Sequence, residues 1–167
     1  MNKTKKNLEN AFSGESQANR RYLAFAKKAE EEGYSQAAKL FKAAAEAETV
    51  HALNHLQITG NINSTAENLK TAISGETFEF TNMYPEYIAT ANEEENKQAL
   101  WSFNVANKVE KIHAVLFKKA ISNLEKGQKL EKVDYYVCSV CGNTVESLPP
   151  DKCPVCNAPK EKFLKPT

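Results

Sequence analysis

The stretch Glu48-Thr49-Val50-His51 has a counterpart in Glu110-Lys111-Ile112-His113, so the motif Glu-x-x-His occurs in two strongly helical parts of the chain. Residues three apart on a helix project from one face, which places each carboxylate one turn from its imidazole. One copy would mean little in a chain with 21 acidic residues. Two copies, each within an apolar stripe, predict two helices that face a shared metal site.

Apolar residues at spacings of three and four predict helices that pack as an all-α four-helix bundle. Glu15, Glu48 and Glu110 lie in the middle of such stripes, not at their ends. A lone carboxylate in a bundle core loses most of its hydration, which costs several kcal/mol unless a cation or partner offsets it. These positions therefore favour metal ligands over solvated helix charges.

A further stretch supplies two more carboxylates, because Glu76 and Glu79 are also three residues apart. Carboxylate oxygens combined with imidazole nitrogens suit iron or manganese, whereas softer metals prefer thiolates. We therefore predict one dinuclear site. Its ligands are Glu15, Glu48, His51, Glu76, Glu79, Glu110 and His113.

Glycines mark the predicted ends of the helices. The first two helices are expected over residues 4–32 and 34–59, and the last over 93–126. Between them, residues 61–74 are expected to form a long crossover that holds a short helix, capped by Ser64 with Glu67.

The third long helix is expected to begin near Gly75 and to bend at 81–83, because it must tolerate Pro85. Length and composition predict two unequal domains, a bundle at 1–127 and a small metal-bound module at 135–167. Residues 128–134 form a short charged linker between them.

All four cysteines lie in two knuckles, Cys138-Ser139-Val140-Cys141 and Cys153-Pro154-Val155-Cys156. Paired Cys-x-x-Cys motifs place four thiolates around one ion, which can be iron or zinc. Disulfides are the alternative, but residues 1–7 lack the apolar run of a signal peptide. No stretch is long and apolar enough to cross a bilayer. We therefore expect a cytoplasmic protein with reduced, metal-binding cysteines.

The charge distribution and the glycines exclude other classes of function. The net charge is +1, and lysines are spread among glutamates, so neither nucleic acid nor an anionic membrane is indicated as a partner. The six glycines form no Gly-x-Gly-x-x-Gly motif, so a nicotinamide or flavin fold is not expected. Reducing equivalents would then come from a separate reductase.

The motifs, taken in order, resemble the rubrerythrin family over nearly the whole chain. The resemblance is carried by 14–18, both Glu-x-x-His pairs, Gly75 to Glu79, Met83-Tyr84-Pro85 and the tail from Tyr136 to Phe163. It implies a ferritin-like four-helix bundle with two irons, followed by a small, mostly irregular and β rubredoxin-like domain. In that domain one iron is bound by Cys138, Cys141, Cys153 and Cys156.

The resemblance also implies roles for the carboxylates. Glu15 and Glu76 would be terminal chelating carboxylates, and Glu48 and Glu110 would bridge the irons. His113 would ligate one iron.

The catalytic side of the implied site is formed by exchangeable ligands and tyrosines. His51 and Glu79 would be alternative ligands of the other iron, exchanged as its redox state changes. Tyr22 and Tyr84 match tyrosines that lie beside the site in the family.

The implied activity is that of a non-haem di-iron peroxidase, which reduces hydrogen peroxide to water in oxidative-stress defence. Electrons would enter through the rubredoxin-like iron from an NAD(P)H-linked reductase or a rubredoxin. Two alternatives remain, a ferritin-like iron-oxidising or iron-binding protein and an oxidase-like bundle with structural zinc at the cysteines.

A head-to-tail homodimer is expected, with the tail of one subunit beside the di-iron site of the other. The helix beyond Glu110 extends roughly 21 Å before the linker begins, which separates the two metal centres of one chain unless its tail folds back.

Overall fold

The computed structural model describes residues 2–129 and 132–166. Leu130 and Glu131 of the predicted linker 128–134 lie outside the described residues. The chain divides into two compact units, Met1–Asn63 and Ser64–Thr167.

The first unit is a pair of long helices, α1 (Lys3–Glu31) and α2 (Ser35–Thr59). Their boundaries match the prediction, and Gly33 and Gly60 adopt the left-handed conformation that ends each helix. The buried seam between them is made almost wholly of alanines, whose small side chains let two helix backbones approach closely. Its members are Ala26, Ala29, Ala38, Ala45 and Ala52.

A buried asparagine links α1 to α2 within this seam. The Asn19 side-chain amide donates to the Ala45 carbonyl at 2.6 Å and to Thr49 Oγ1 at 2.8 Å. Since a buried amide without partners is costly, these two bonds favour a single register of α1 against α2.

The second unit begins with α3 (Thr65–Phe78), a five-residue π-turn (Glu79–Met83) and α4 (Tyr84–Glu93). The predicted capping box of Ser64 and Glu67 is confirmed. The predicted long crossover is wrong, because the helix started by Ser64 runs straight through Gly75. A helical glycine costs about 1 kcal/mol, which such a well-capped helix tolerates.

The predicted irregularity before Pro85 takes the form of the π-turn. The Tyr84 N–H donates to the carbonyl of Glu79, five residues back, instead of four. A proline ring clashes with the carbonyl four residues before it, and widening one turn relieves that clash. The widened turn carries Glu79, one of the predicted ligands.

The last helix, α5, spans Lys97–Glu125 and starts later than the predicted residue 93. Glu95 adopts a left-handed conformation that ends α4, and the Asn96 side chain caps α5 by accepting from Ala99 N–H at 3.1 Å. Propensity alone did not reveal this break, since it depends on a single residue with positive φ. The buried face of α5 comprises Val105, Val109, Ala114 and Ile121.

The C-terminal tail forms a small antiparallel sheet in the order β2-β1-β3, as expected from its turns and short strands. The strands are β1 (Tyr135–Cys138), β2 (Thr144–Glu146) and β3 (Phe163–Leu164). Cys138 pairs with Phe163 across β1 and β3. The core of the tail is minimal, because it consists of two cysteines and one phenylalanine surrounded by partly buried neighbours.

Candidate metal centres

The first unit brings together the ligand atoms of Glu15, Glu48 and His51, all within 4.8 Å of one another. Helix geometry sets the pair on α2, where His51 Nδ1 lies 2.9 Å from Glu48 Oε2. Glu15 reaches the pair from α1. The His51 side chain is 54 % exposed, so it has room to move.

The second unit builds a matching group from Glu76, Glu110 and His113. His113 Nδ1 lies 2.8 Å from Glu110 Oε2 and 3.7 Å from Glu76 Oε2. The His113 side chain is 27 % exposed, half the exposure of its counterpart on α2.

Glu76, in the second group, lacks the neutralising partner that a buried charge needs. Burial, followed by the neighbouring Glu110, raises the pKa of Glu76 to about 7. Its Oε2 atom is buried without a hydrogen-bond partner. A cation bound between these oxygens would offset both the burial and the repulsion, so the donor set fits a hard metal such as iron.

Glu79 and Tyr84 face the same group from the π-turn and the start of α4. Burial and then Glu110 raise the pKa of Glu79, while His113 lowers it. Burial, Glu110 and Glu79 likewise raise the pKa of Tyr84. These electrostatic effects agree with the predicted place of both residues beside the carboxylates, although Glu79 is outside the group of atoms within 4.8 Å.

Tyr22 lies in an aromatic cluster of the first unit. Its ring centroid is 6.4 Å from that of Phe25 and 6.2 Å from that of Phe41. Packing of this kind holds a tyrosine ring in one orientation.

The four cysteine sulfurs converge in the tail as the knuckles predict. Cys138 Sγ lies 3.7 Å from Cys156 Sγ, and Cys141 Sγ lies 3.6 Å from Cys153 Sγ. Sulfurs about 2.3 Å from a tetrahedral ion would be separated by about 3.8 Å, so this arrangement fits one metal and is too wide for disulfides.

The two knuckles share one backbone design. Gly142 N–H donates to the Cys138 carbonyl at 2.8 Å, and Asn157 N–H donates to the Cys153 carbonyl at 2.9 Å. Both donors adopt the left-handed conformation. This turn points the two sulfurs of each knuckle toward one centre.

The pKa values of the cysteine thiols shift in different directions. Burial raises the pKa of Cys141 and also that of Cys156. Burial would raise the pKa of Cys153 as well, but backbone hydrogen bonds from Cys156 and Val155 and the adjacent sulfurs lower it to about 7. Four thiolates can coexist here only with a bound cation.

Two contacts join the tail to α5. Thr144 Oγ1 lies 2.9 Å from His113 Nε2, and Lys119 Nζ lies 2.7 Å from Glu146 Oε2. The tail therefore folds back against its own α5, which is the alternative that the predicted distance between the centres left open. The separation of the two metal centres within one chain therefore no longer supports a head-to-tail dimer.

Thr144 and Asn19 are the polar residues near these groups that sequence reasoning missed. Thr144 contacts a residue 31 positions away, and no local spacing announces such a contact. Asn19 lies in an apolar stripe four residues after Glu15. An amide at such a position needs hydrogen-bond partners, and that need was the signal in the sequence that could have identified it.

Two carboxylate–imidazole groups on long helices, followed by a four-cysteine centre on a small sheet, define a protein with two kinds of metal centre. The family model described as Rubrerythrin matches residues 6–121, and the one described as Rubrerythrin, rubredoxin-like domain, matches 136–164. The chain belongs to the rubrerythrin family.

Individual relatives agree with this assignment over almost their whole length. Rubrerythrin-2 of Clostridium acetobutylicum is 36 % identical, with 93 % of this chain and 92 % of the relative covered. Rubrerythrin of Porphyromonas gingivalis is 38 % identical, with 96 % and 88 % covered. The structure of fully reduced, all-ferrous nigerythrin matches with a TM-score of 0.59 and 31 % identity, covering 99 % of this chain and 88 % of that one.

Family membership confirms the predicted fold class, a ferritin-like helical domain followed by a rubredoxin-like domain. It also confirms the predicted cofactors, a di-iron centre with carboxylate and imidazole ligands and one iron held by four cysteines. The chain is thus an oxidoreductase of the di-iron class. None of the helices in the described residues combines the length and apolar character needed to span a membrane.

Proposed function

We propose that this protein reduces hydrogen peroxide to water at one di-iron site that draws on both helical donor groups. Each group offers two carboxylates and one imidazole, and Glu79 adds a further carboxylate. Together they amount to the seven ligands expected from the sequence. They are Glu15, Glu48, His51, Glu76, Glu79, Glu110 and His113.

The proposed reaction consumes one peroxide, two electrons and two protons, breaks the O–O bond and releases two waters. The bound iron pair supplies the two electrons. Tyr84 supports the reaction through its hydroxyl, which stays protonated because burial and nearby carboxylates raise its pKa. That hydroxyl can donate a hydrogen bond to the hydroxide that leaves as the O–O bond breaks.

His51 and Glu79 are the proposed exchangeable ligands, and their settings support that role. The His51 side chain is half exposed and is therefore free to swing. Glu79 opens the π-turn, a helix irregularity that often occurs at functional sites. Glu15 and Glu76 are the proposed terminal ligands, with Glu48 and Glu110 as bridges.

Electrons are proposed to enter through the four-cysteine domain at 135–167, which follows the helical domain at 1–127. The observation that carries the peroxidase assignment is the contact between Thr144 of this domain and His113. An iron-storage protein does not need an electron carrier in contact with a metal ligand. The reductant would be an NAD(P)H-linked reductase or a rubredoxin, and a homodimer remains part of the proposal.

Anaerobic stopped-flow mixing of the reduced protein with one equivalent of peroxide tests this function. We expect two irons oxidised per peroxide consumed and no oxygen released. Glu48→Gln should abolish the reaction, whereas Glu46→Gln, an exposed carboxylate on the same helix, should leave it intact. Oxidation only by dioxygen, with iron deposited as mineral, would support the ferritin-like alternative and reject the peroxidase.

A further inference from the structure

We propose that Thr144 is a positioning residue that fixes the ring orientation and tautomer of His113, so that the Nδ1 atom of this ligand is presented to the metal. The proposal rests on the proposed function only in taking His113 as a ligand of the helical site. It assigns a role at that site to a residue of the cysteine-rich domain.

The hydrogen bonds around Thr144 favour one of the two tautomers of His113. Its hydroxyl donates to the Gly142 carbonyl at 3.2 Å, so the lone pairs of Oγ1 are left to accept. His113 Nε2, 2.9 Å away, is then the donor. A neutral imidazole has one N–H, so this arrangement leaves Nδ1 free to bind a cation. Without a cation, Glu110 Oε2, 2.8 Å from Nδ1, competes for the same proton.

The Nδ1 atom of His113 faces the carboxylates of the second group. It lies 2.8 Å from Glu110 Oε2 and 3.7 Å from Glu76 Oε2, among the atoms that can surround a cation. Ligating histidines usually donate their other N–H to such an outer partner, which fixes the ring and strengthens the ligand. Thr144 satisfies that requirement from another domain.

Thr144 is itself held by the cysteine knuckle. It pairs with Val137 across β2 and β1, and its acceptor Gly142 donates its N–H to the Cys138 carbonyl. A Cβ placed on Gly142 would lie 3.8 Å from Val109 Cγ1, so the knuckle lies close against α5. The ordered knuckle therefore sets the position of the Thr144 hydroxyl.

The tautomer can be read directly by nitrogen NMR of the full chain carrying ¹⁵N-histidine, with zinc at both the cysteines and the helical site, so that the bound cation removes the competition from Glu110 for the proton. Three histidines make the spectrum simple, and His113→Asn assigns the relevant signals. We expect His113 to show a protonated Nε2 in the parent and in Thr144→Ser, and a mixture of tautomers in Thr144→Val. A parent with its proton on Nδ1 would overturn the proposal without any variant.

Cobalt(II) titration of chains that carry zinc only at the cysteines measures the consequence for metal binding. Thr144→Val should weaken cobalt binding at the helical site about 10- to 100-fold, as loss of an outer partner commonly does. Thr144→Ser should restore it, and Ser139→Ala, which removes an exposed hydroxyl from the same knuckle, should have no effect. Equal affinity in Thr144→Val and the parent, or a loss of affinity with an unchanged tautomer, would overturn the proposal.

Two safeguards keep the outcome interpretable. Zinc content and circular dichroism show whether Thr144→Val keeps its fold, and Thr144→Ala is a smaller second variant that removes the same hydroxyl. Neither measurement uses peroxide. If the parent fails to reduce peroxide, the proposed function fails while the tautomer and affinity results still decide the role of Thr144.

Discussion

The two Glu-x-x-His pairs are nearly identical as local structures and different as sites. His51 lies 2.9 Å from Glu48, and His113 lies 2.8 Å from Glu110. The His51 side chain is 54 % exposed, whereas His113 is 27 % exposed and bonded to Thr144. The same motif thus leaves one imidazole largely exposed and holds the other through a contact from the tail.

This difference arises from what packs against each helix. α2 packs against α1 through an alanine seam, and its imidazole is left largely in solvent. α5 packs against α3 and also receives β2 of the tail, which covers its imidazole. Helix periodicity therefore produces the ligand pair, and a distant segment decides how firmly the pair is held.

The largest effect should come from removing the metal that holds the tail together. Cys153→Ser leaves three thiols around a core too small to fold by apolar burial, and structural metal binding contributes on the order of 10 kcal/mol. Hydrogen exchange should show protection lost over 135–166, with the signals of His113 altered and those of His51 unchanged. A protected tail, or equal changes at both histidines, would remove the proposed asymmetry.

Removing each imidazole should test the comparison directly. We expect His113→Ala to lower cobalt affinity at the helical site by at least about 100-fold, because it removes a proposed ligand whose ring Thr144 holds in place. His51→Ala should lower it by only about 10-fold, since this imidazole is largely exposed and is proposed to be an exchangeable ligand. Titration of both variants under one buffer decides the order, and equal losses would contradict it.

The register of the first unit should depend on its buried amide. Asn19→Ala removes two hydrogen bonds between α1 and α2, so the free energy of unfolding should fall by about 2 kcal/mol. Asn54→Ala, at an exposed position on α2, is the matched control and should change it little. Urea unfolding of the three chains measures the difference, and an unaffected Asn19→Ala would show that the alanine seam alone sets the register.

The smallest effect is a pH dependence confined to the second unit. With the helical site empty, the pKa of Glu76 is about 7, above its ordinary value of 4.5. The folded state therefore binds the Glu76 proton more tightly than the unfolded state does. The stabilisation from this tighter binding is fully present below pH 4.5 and is lost as the pH rises through about 7. Allowing for solvent screening, the loss is about 1 kcal/mol.

Glu76→Gln should abolish this pH dependence and be more stable than the parent at about pH 8, with little difference at about pH 5. Glu93→Gln, exposed at the end of α4, should retain the parental profile. Thermal unfolding at both pH values, with zinc at the cysteines, provides the comparison. A parental profile in Glu76→Gln would mean that this carboxyl is not the titrating group.

Much of the fold followed from local rules. The ends of α1 and α2, the capping box at Ser64 and the disturbance before Pro85 were all predicted. The helix through Gly75 and the break at Glu95 were not, because glycine permits a turn without requiring one, while Glu95 adopts a conformation that its residue type disfavours.

By itself, the sequence determined the chemistry of this protein. Fixed helix geometry makes Glu-x-x-His a carboxylate–imidazole pair wherever a helix forms. Paired Cys-x-x-Cys motifs likewise point their sulfurs toward one ion. Only the tertiary structure decided the inequality of the two pairs and the fold-back of the tail. Both depend on the contact between Thr144 and His113, which joins residues far apart in sequence through packing that no local pattern encodes.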